Sequence, residues 1–349
     1  MSGSSRRRAI ALLAAGAGGS ALGLFALHRR AGSEPLRGGF GPITVKSTRI
    51  EHFLLREPDL RRFGRLDFLG GLELSSASER FGGLSGLAVA ADGRRITAVT
   101  DKGLWFGGTL TLTAEGAPTG LVDAMMAPIL GPDGQPLSVM KRSDSEGLAV
   151  ADGVAFVSFE RTPDILRFAL QRDGFAARGE ILPRPAGTMR LHSNRGLEAI
   201  AVLAAGPHAG SVIAIAEAPP RGDDERPTVP GWFVTGPRGA TFEVMRHGSF
   251  AITDAAVLPG GDLLLLERSF AWLDGVAMRI RRIAARDIRP GARLDGEEIL
   301  KADMRNQIDN MEGLAVHREP DGSVVLTLVS DDNFSFLQRT ILLRFRLVD

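Results

Sequence analysis

The chain has 349 residues, 44% of them hydrophobic and 24% charged, with 42 basic against 41 acidic side chains. Those are the proportions of a folded domain, and a net charge of +1 gives no general pull toward nucleic acid or an anionic membrane surface. Cysteine is absent, which excludes disulfides, thiolate catalysis and cysteine-ligated zinc.

At the N-terminus, Arg6-Arg7-Arg8 precede an uncharged run over residues 9–27 that is rich in Ala, Leu and Gly. A basic n-region before an apolar h-region is the pattern of an export signal. Ser5-Arg6-Arg7-Arg8-Ala9-Ile10 resembles a twin-arginine signal, without the Phe that usually follows the variable position. Residues 1–28 are therefore expected to be an export signal, or a membrane anchor if uncleaved, because such a run nearly spans a bilayer. The expected location is periplasmic or secreted, with the membrane reached only through this segment. Residues 29–42 read as a linker and residues 43–349 as the folded domain, expected to be a monomer.

Beyond the linker, short apolar runs alternate with turn residues, and helices of ten or more residues are missing from the pattern. Five runs open alike: Ser85-Gly86-Leu87-Ala88-Val89, Glu146-Gly147-Leu148-Ala149-Val150, Glu198-Ala199-Ile200-Ala201-Val202, Asp254-Ala255-Ala256-Val257 and Glu312-Gly313-Leu314-Ala315-Val316. Their first positions lie 61, 52, 56 and 58 residues apart. A recurrence of this length in a strand-rich chain points to repeated sheets. In the first repeat, residues 85–90, 95–100, 104–113 and 121–129 read as strands. In the second, residues 147–151, 154–159 and 165–170 do so. Asp92-Gly93, Asp152-Gly153 and Gly260-Gly261 supply the positive φ that tight hairpins require.

The last repeat offers only residues 314–317, 324–329 and 341–347, three strands where four are expected. Residues 65–76 are strand-like and precede the first repeat, so they can supply the fourth and close the ring. The expectation is an all-β fold, a propeller of five four-stranded blades closed by an N-terminal strand. A sixth blade is admitted if residues 43–55 and 116–142 conceal a degenerate repeat, and a β-sandwich pair is the plain alternative.

Acids recur at two points of each repeat. The opening set is Glu146, Glu198, Asp254 and Glu312, with Ser85 in the first repeat; the second set, after the next strand, is Asp101, Glu160, Glu217, Glu267 and Asp331. If the second strand returns antiparallel beside the first, both sets lie at the same sheet edge, and a closed ring brings them to one mouth. Carboxylates so close repel unless they are paired with bases or bind cations. Lys102, Arg161 and Arg268 directly follow second-set acids, whereas Asp331-Asp332-Asn333 offers three oxygen donors with no adjacent base. Oxygen donors with few histidines favour Ca²⁺, with Mg²⁺ as the other choice. The expected ligands are therefore Asp101, Glu146, Glu160, Glu198, Glu217, Glu267, Glu312, Asp331, Asp332 and Asn333. Lys102, Arg161 and Arg268 would contact anionic oxygens of a substrate, and His192 and Ser85 are candidate reactive groups. The bland reading of the same acids is a set of repeated turn contacts and cross-blade ion pairs.

The motifs Arg80-Phe81-Gly82-Gly83-Leu84-Ser85-Gly86-Leu87, Thr100-Asp101-Lys102-Gly103, Ser145-Glu146-Gly147-Leu148, Asn194-Arg195-Gly196-Leu197-Glu198, Leu266-Glu267-Arg268-Ser269-Phe270, Asn310-Met311-Glu312-Gly313-Leu314 and Ser330-Asp331-Asp332-Asn333-Phe334 occur in this order. Together they resemble the phytase-like family, also labelled esterase-like activity of phytase. The resemblance implies a secreted or periplasmic propeller that hydrolyses phosphate or carboxylic esters, hence a small anionic ester as substrate. Asp254-Ala255 departs from the Glu-Gly form, which puts a ligand role there in doubt. No G-x-S-x-G elbow, P-loop, H-E-x-x-H or dinucleotide fingerprint is present. Three functions stay open: a metal-assisted ester hydrolase, a non-catalytic binding propeller, and a lactonase-like hydrolase with one axial metal.

Overall fold

The computed structural model describes residues 41–140, 144–237, 239–271 and 275–348. The expected export signal and the linker up to residue 40 lie outside them. Among the described residues no helix is long and apolar enough to cross a membrane.

Five antiparallel sheets follow one another along the chain. Blade 1 runs Leu84–Val89, Arg95–Thr100, Leu104–Leu112 and Pro118–Pro128, and Gly41–Pro42 adds a short outer strand. Blade 2 is built from Ser145–Ala151, Val154–Phe159, Ile165–Phe168 and Glu180–Ile181. Leu197–Val202, Val212–Ala216, Thr228–Phe233 and Thr241–Met245 form blade 3, with Arg293–Leu294 alongside in parallel. Ala251–Val257, Leu263–Ala271, Gly275–Ile283 and Glu297–Ala302 form blade 4. Blade 5 begins with Met311–Arg318, Val324–Ser330 and Thr340–Leu347.

The fourth strand of blade 5 comes from the other end of the domain. Leu66–Ser76 pairs antiparallel with Thr340–Leu347, from Leu74 opposite Thr340 to Leu66 opposite Leu347. Val45–Ile50 then pairs outside it, Val45 opposite Ser76. Phe53 is fully buried and packs edge-on against Phe345 of the same blade, ring centroids 5.1 Å apart. Residues 43–55 thus extend blade 5, and Pro118–Pro128 is the outer strand of blade 1. Neither stretch hides a sixth blade, and the propeller has five.

The apolar core is divided among the seams between blades. Leu263 and Leu265 pack toward blade 3 with Ile213, Ile215 and Phe242, while Leu264 and Leu266 pack toward blade 5 with Leu326 and Leu343. Each central strand is therefore covered on both faces, which explains why these runs read as continuous rather than alternating apolar sequence. The innermost strands of the five blades touch in ring order, the last against the first. At the closing seam, the buried Arg344 of blade 5 donates to the Gly116 carbonyl of blade 1 at 2.8 Å.

Inner strands approach one another closely where glycine follows the bulged residue. A Cβ on Gly147 would lie 2.4 Å from the carbonyl oxygen of Glu198, and one on Gly313 would lie 2.5 Å from that of Ser85. In both cases the nearest atom is backbone, which cannot swing aside as the end of a side chain can. Gly147→Ala is expected to lower the thermal midpoint, with a loss of about 1–3 kcal/mol measured by denaturant unfolding. A melt unchanged from wild type would show that the inner strands can separate without cost.

Candidate functional site

The site is built by one backbone irregularity used five times. In every blade the pairing between the first and second strands shifts just inside the mouth. Leu197 faces Ala216 and Ala199 faces Ile215, so Glu198 is the extra residue of blade 3. Glu312 is extra in blade 5, between Met311 opposite Ser330 and Gly313 opposite Val329. In blade 2 the shift takes in Glu146 and in blade 1 Ser85. A bulge twists the strand and re-aims the extra side chain. Here it turns these residues toward the mouth.

In blades 1, 2, 3 and 5 the second ring is set by one amide at the end of the second strand. Asp101 N–H donates to the Gly83 carbonyl (3.0 Å), Glu160 N–H to Asp144 (2.9 Å), Glu217 N–H to Gly196 (3.1 Å) and Asp331 N–H to Asn310 (2.9 Å).

Blade 4 departs from the pattern by one residue. Its pairs are Ile252 with Glu267 and Asp254 with Leu266, which makes Thr253 the extra residue. Asp254 therefore stands one step deeper, where the other blades carry Gly or Ala. It is fully buried; its carboxylate accepts from the amides of Ala255 (2.8 Å) and Leu314 (2.7 Å). Burial holds its pKa well above the usual aspartate value, against those two amides.

The same slip carries Glu267 away from the mouth. Its carboxylate pairs with the buried Arg281 at 2.6 and 2.9 Å and also with Arg279. Arg268 takes the ring position instead, opposite Ala251. One residue of register exchanges the two faces of a strand, so blade 4 presents a base where the others present an acid. Of the nine acids expected at the mouth, Asp254 and Glu267 are thus placed elsewhere. Valine four residues after each extra residue (Val89, Val150, Val202, Val257, Val316) marks the correct alignment.

The other seven come together, joined by one that sequence reasoning missed. Oxygens of Asp144, Glu146 and Glu160 lie within 4.8 Å of one another, as do those of Glu160, Glu198 and Glu217. Asp144 precedes Glu146 by two residues, as Asn310 precedes Glu312, and that spacing was its signal. Burial, and then the charges of Asp144, Glu160, Glu312 and Asp101, push the Glu146 carboxyl well above its ordinary pKa. Glu198 is raised likewise, by burial and then by Glu146, Glu217, Glu160 and Glu312. Burial lifts Glu312 to about 8, although Arg268 pulls the other way.

The bases divide between ring and rim. Arg268 contacts Glu312 at 3.0 Å and Glu217 at 3.7 Å, and donates to the Asn310 side chain. Arg161 pairs with Asp144 at 2.7 Å. The half-buried Lys102 lies 2.9 Å from the centre of the Phe334 ring, and burial lowers its pKa against the pull of Asp101 and Asp332. His192 lies on the blade 2 to blade 3 connection against Asp224, at 3.3 Å, rather than on a ring carboxylate.

Asp331-Asp332-Asn333 is not a row of three free donors. Asp332 accepts from the Gly83 amide (3.0 Å), the Phe334 amide (3.1 Å) and the Thr340 hydroxyl (3.0 Å), clamping blade 5 to blade 1. Asp331 accepts from the Asn333 amide at 2.6 Å, and Asn333 and Phe334 both hold positive φ. Asn333 is exposed, and the loop beyond it carries the exposed Phe336 and Leu337.

A donor set of clustered carboxylate oxygens, in a chain without cysteine, fits a hard divalent cation. In the metal-free protein, burial and then neighbouring carboxylates push the Glu146, Glu198 and Glu312 carboxyls above the pH near 4.5 at which the unfolded chain releases its protons. Raised carboxyl pKa values stabilise the fold below that pH and cost stability as pH climbs toward the folded values. Denaturant unfolding of metal-free protein is expected to show stability falling from pH 5 to pH 8, by up to about 1.4 kcal/mol per pH unit for each group. Glu146→Gln should flatten that slope and raise the pH 8 midpoint. A flat profile in wild type would mean that these acids are compensated without metal.

The family described as "Phytase-like: Esterase-like activity of phytase" matches residues 79–334. No curated protein matches the chain in sequence. Among solved structures, the chain is similar to aldose sugar dehydrogenase from Streptomyces coelicolor in its PQQ-bound form, at 13% identity and a TM-score of 0.42, covering 87% of this chain and 98% of that one. Glutaminyl cyclase from Myxococcus xanthus matches at 12% identity and a TM-score of 0.37, covering 77% and 92%. A protein of unknown function from Bacteroides caccae matches at 12% and 0.31, covering 70% and 68%.

Proposed function

The chain belongs to the phytase-like family, and from that premise we propose that it is an exported, metal-dependent hydrolase of phosphate or carboxylic esters. The observation that carries the reading is the pair of three-carboxylate groups that share Glu160 at the mouth. Asp144, Glu146 and Glu160 would hold the ion, Ca²⁺ or Mg²⁺, with Glu198 and Glu217 beside them. When bound, such an ion polarises an ester oxygen and acidifies a water.

The rest of the work falls to this chain's own groups. Arg161 is 54% exposed and reaches past Asp144 to solvent, so it is placed to meet an anionic oxygen of an arriving ester. Lys102 offers a second positive charge beside Asp101 and Asp332. Phe336 and Leu337, 93% and 78% exposed on the loop after Asp331, suit an ester that carries an apolar group. Export rests on the Arg6-Arg7-Arg8 pattern and the apolar run after it.

A second reading has its own support. Arg268 and Asn310 already compensate part of the ring, as they would in a propeller that binds a ligand or partner without turning it over.

Purified domain stripped with chelator and returned to calcium separates the two. Hydrolysis predicts a higher melting temperature with calcium, by about 2.7 kcal/mol of added stability at 100 times the Kd. It also predicts turnover of phosphomonoester or carboxylester substrates that falls roughly 100-fold in Glu160→Gln. Binding alone predicts a melt indifferent to chelator and no turnover on either panel.

A further inference from the structure

Arg268 stands where four of the five blades place an acid. Its neighbours at the equivalent positions are Asp101, Glu160, Glu217 and Asp331. The guanidinium bridges carboxylates from two blades, Glu217 of blade 3 and Glu312 of blade 5, and also meets Asn310. Burial works against its charge, yet Glu312, Glu217, Glu198 and Asp331 together raise its pKa further above the ordinary arginine value. A cation is thus built into the ring by covalent attachment.

We infer that Arg268 is the resident cation of the ring and fixes the number of divalent ions at one, by occupying the Glu217–Glu312 side and leaving Asp144, Glu146 and Glu160 for the metal. This rests on the metal-binding half of the proposed function and adds to it the count and the residue that sets it. The two carboxylate groups share Glu160, but only the second contains Glu217, which Arg268 approaches to 3.7 Å. Two divalent ions on the shared Glu160 would sit close together and repel. A single positive charge on the second side balances the acids with less repulsion. Arginine suits this because its planar fork can meet two carboxylates at once, which an ammonium does less well.

Arg161 does not play the same part on the other side. It contacts Asp144, but its side chain is 54% exposed against 29% for Arg268. Solvent can take the Arg161 guanidinium when an ion arrives. Arg268 is held from two blades and has less room to leave.

The test is calorimetric titration of calcium into chelator-stripped protein, with melting temperatures read in parallel. Wild type is expected to bind one ion and Arg268→Gln two, the second at least about tenfold tighter than any second site of wild type, since one unit charge has been removed from contact distance. Metal-free Arg268→Gln should melt lower than wild type and recover with calcium. Adding Glu217→Gln to it should remove the second ion. If Arg268→Gln does not fold without calcium, Arg268→Lys is titrated instead and should show a weak second site. One ion at wild-type affinity in the variant overturns the inference while leaving the metal reading intact. No ion in wild type but one in Arg268→Gln overturns the metal reading and, with it, the count of one. No ion in either overturns both.

Discussion

Every central strand in this domain has two apolar faces, and its own sheet can cover neither. Leu263 to Leu266 show the consequence, since alternate leucines belong to the cores on opposite sides of blade 4. A lone blade would expose both faces to water, and a linear array would still expose two. Only a closed ring buries all of them, so the pairing of Leu66–Ser76 with Thr340–Leu347 is a condition of the core and not an ornament on it. The same closure forces the inner strands together, which is why glycine is needed where Gly147 meets Glu198 and Gly313 meets Ser85.

Ring closure by itself would gather whatever side chains stand at the mouth. What brings acids there is a bulge repeated in each blade, which in blades 2, 3 and 5 turns a glutamate of the first strand inward beside the residue that ends the second. The outcome is a cluster in which burial first, and then neighbouring carboxylates, oppose ionisation at Glu146 and Glu198. Such an arrangement stores electrostatic cost that cations relieve. The fold answers part of it internally, through Arg268 in the ring, Arg161 on Asp144, and the amides that hold Asp254 and Asp332. Among the described residues, the carboxylate oxygens gather in two groups that share Glu160: Asp144, Glu146 and Glu160, and Glu160, Glu198 and Glu217.

The irregularity of blade 4 matters more than its size suggests. A single residue of register moves Glu267 into a buried ion pair with Arg279 and Arg281 and puts Arg268 on the axis side. The repeat is thereby broken in charge while its backbone is preserved. A five-fold ring of identical acids would have no preferred direction. Substituting one base makes the charge of the mouth asymmetric around the ring.

Composition and recurrence alone were enough to settle the strand-rich repeats, the hairpin turns and the missing fourth strand of the last blade, because local turn chemistry and apolar runs depend only on neighbouring residues. They also picked out most of the mouth: Asp101, Glu146, Glu160, Glu198, Glu217, Glu312 and Asp331. Register was beyond their reach. Aligning repeats on their acids put Asp254 and Glu267 in the ring, whereas backbone pairing, decided by which residues the neighbouring strands bury, put Thr253 and Arg268 there. Likewise, only its spacing before Glu146 hinted at Asp144 as a member of the cluster, and nothing local distinguished Asp332 as a clamp on Gly83, since both roles depend on chain segments that meet only when the ring closes. Residue identities fixed which charges were available; tertiary pairing decided which of them face one another, because a strand's two faces differ by a single step along the backbone.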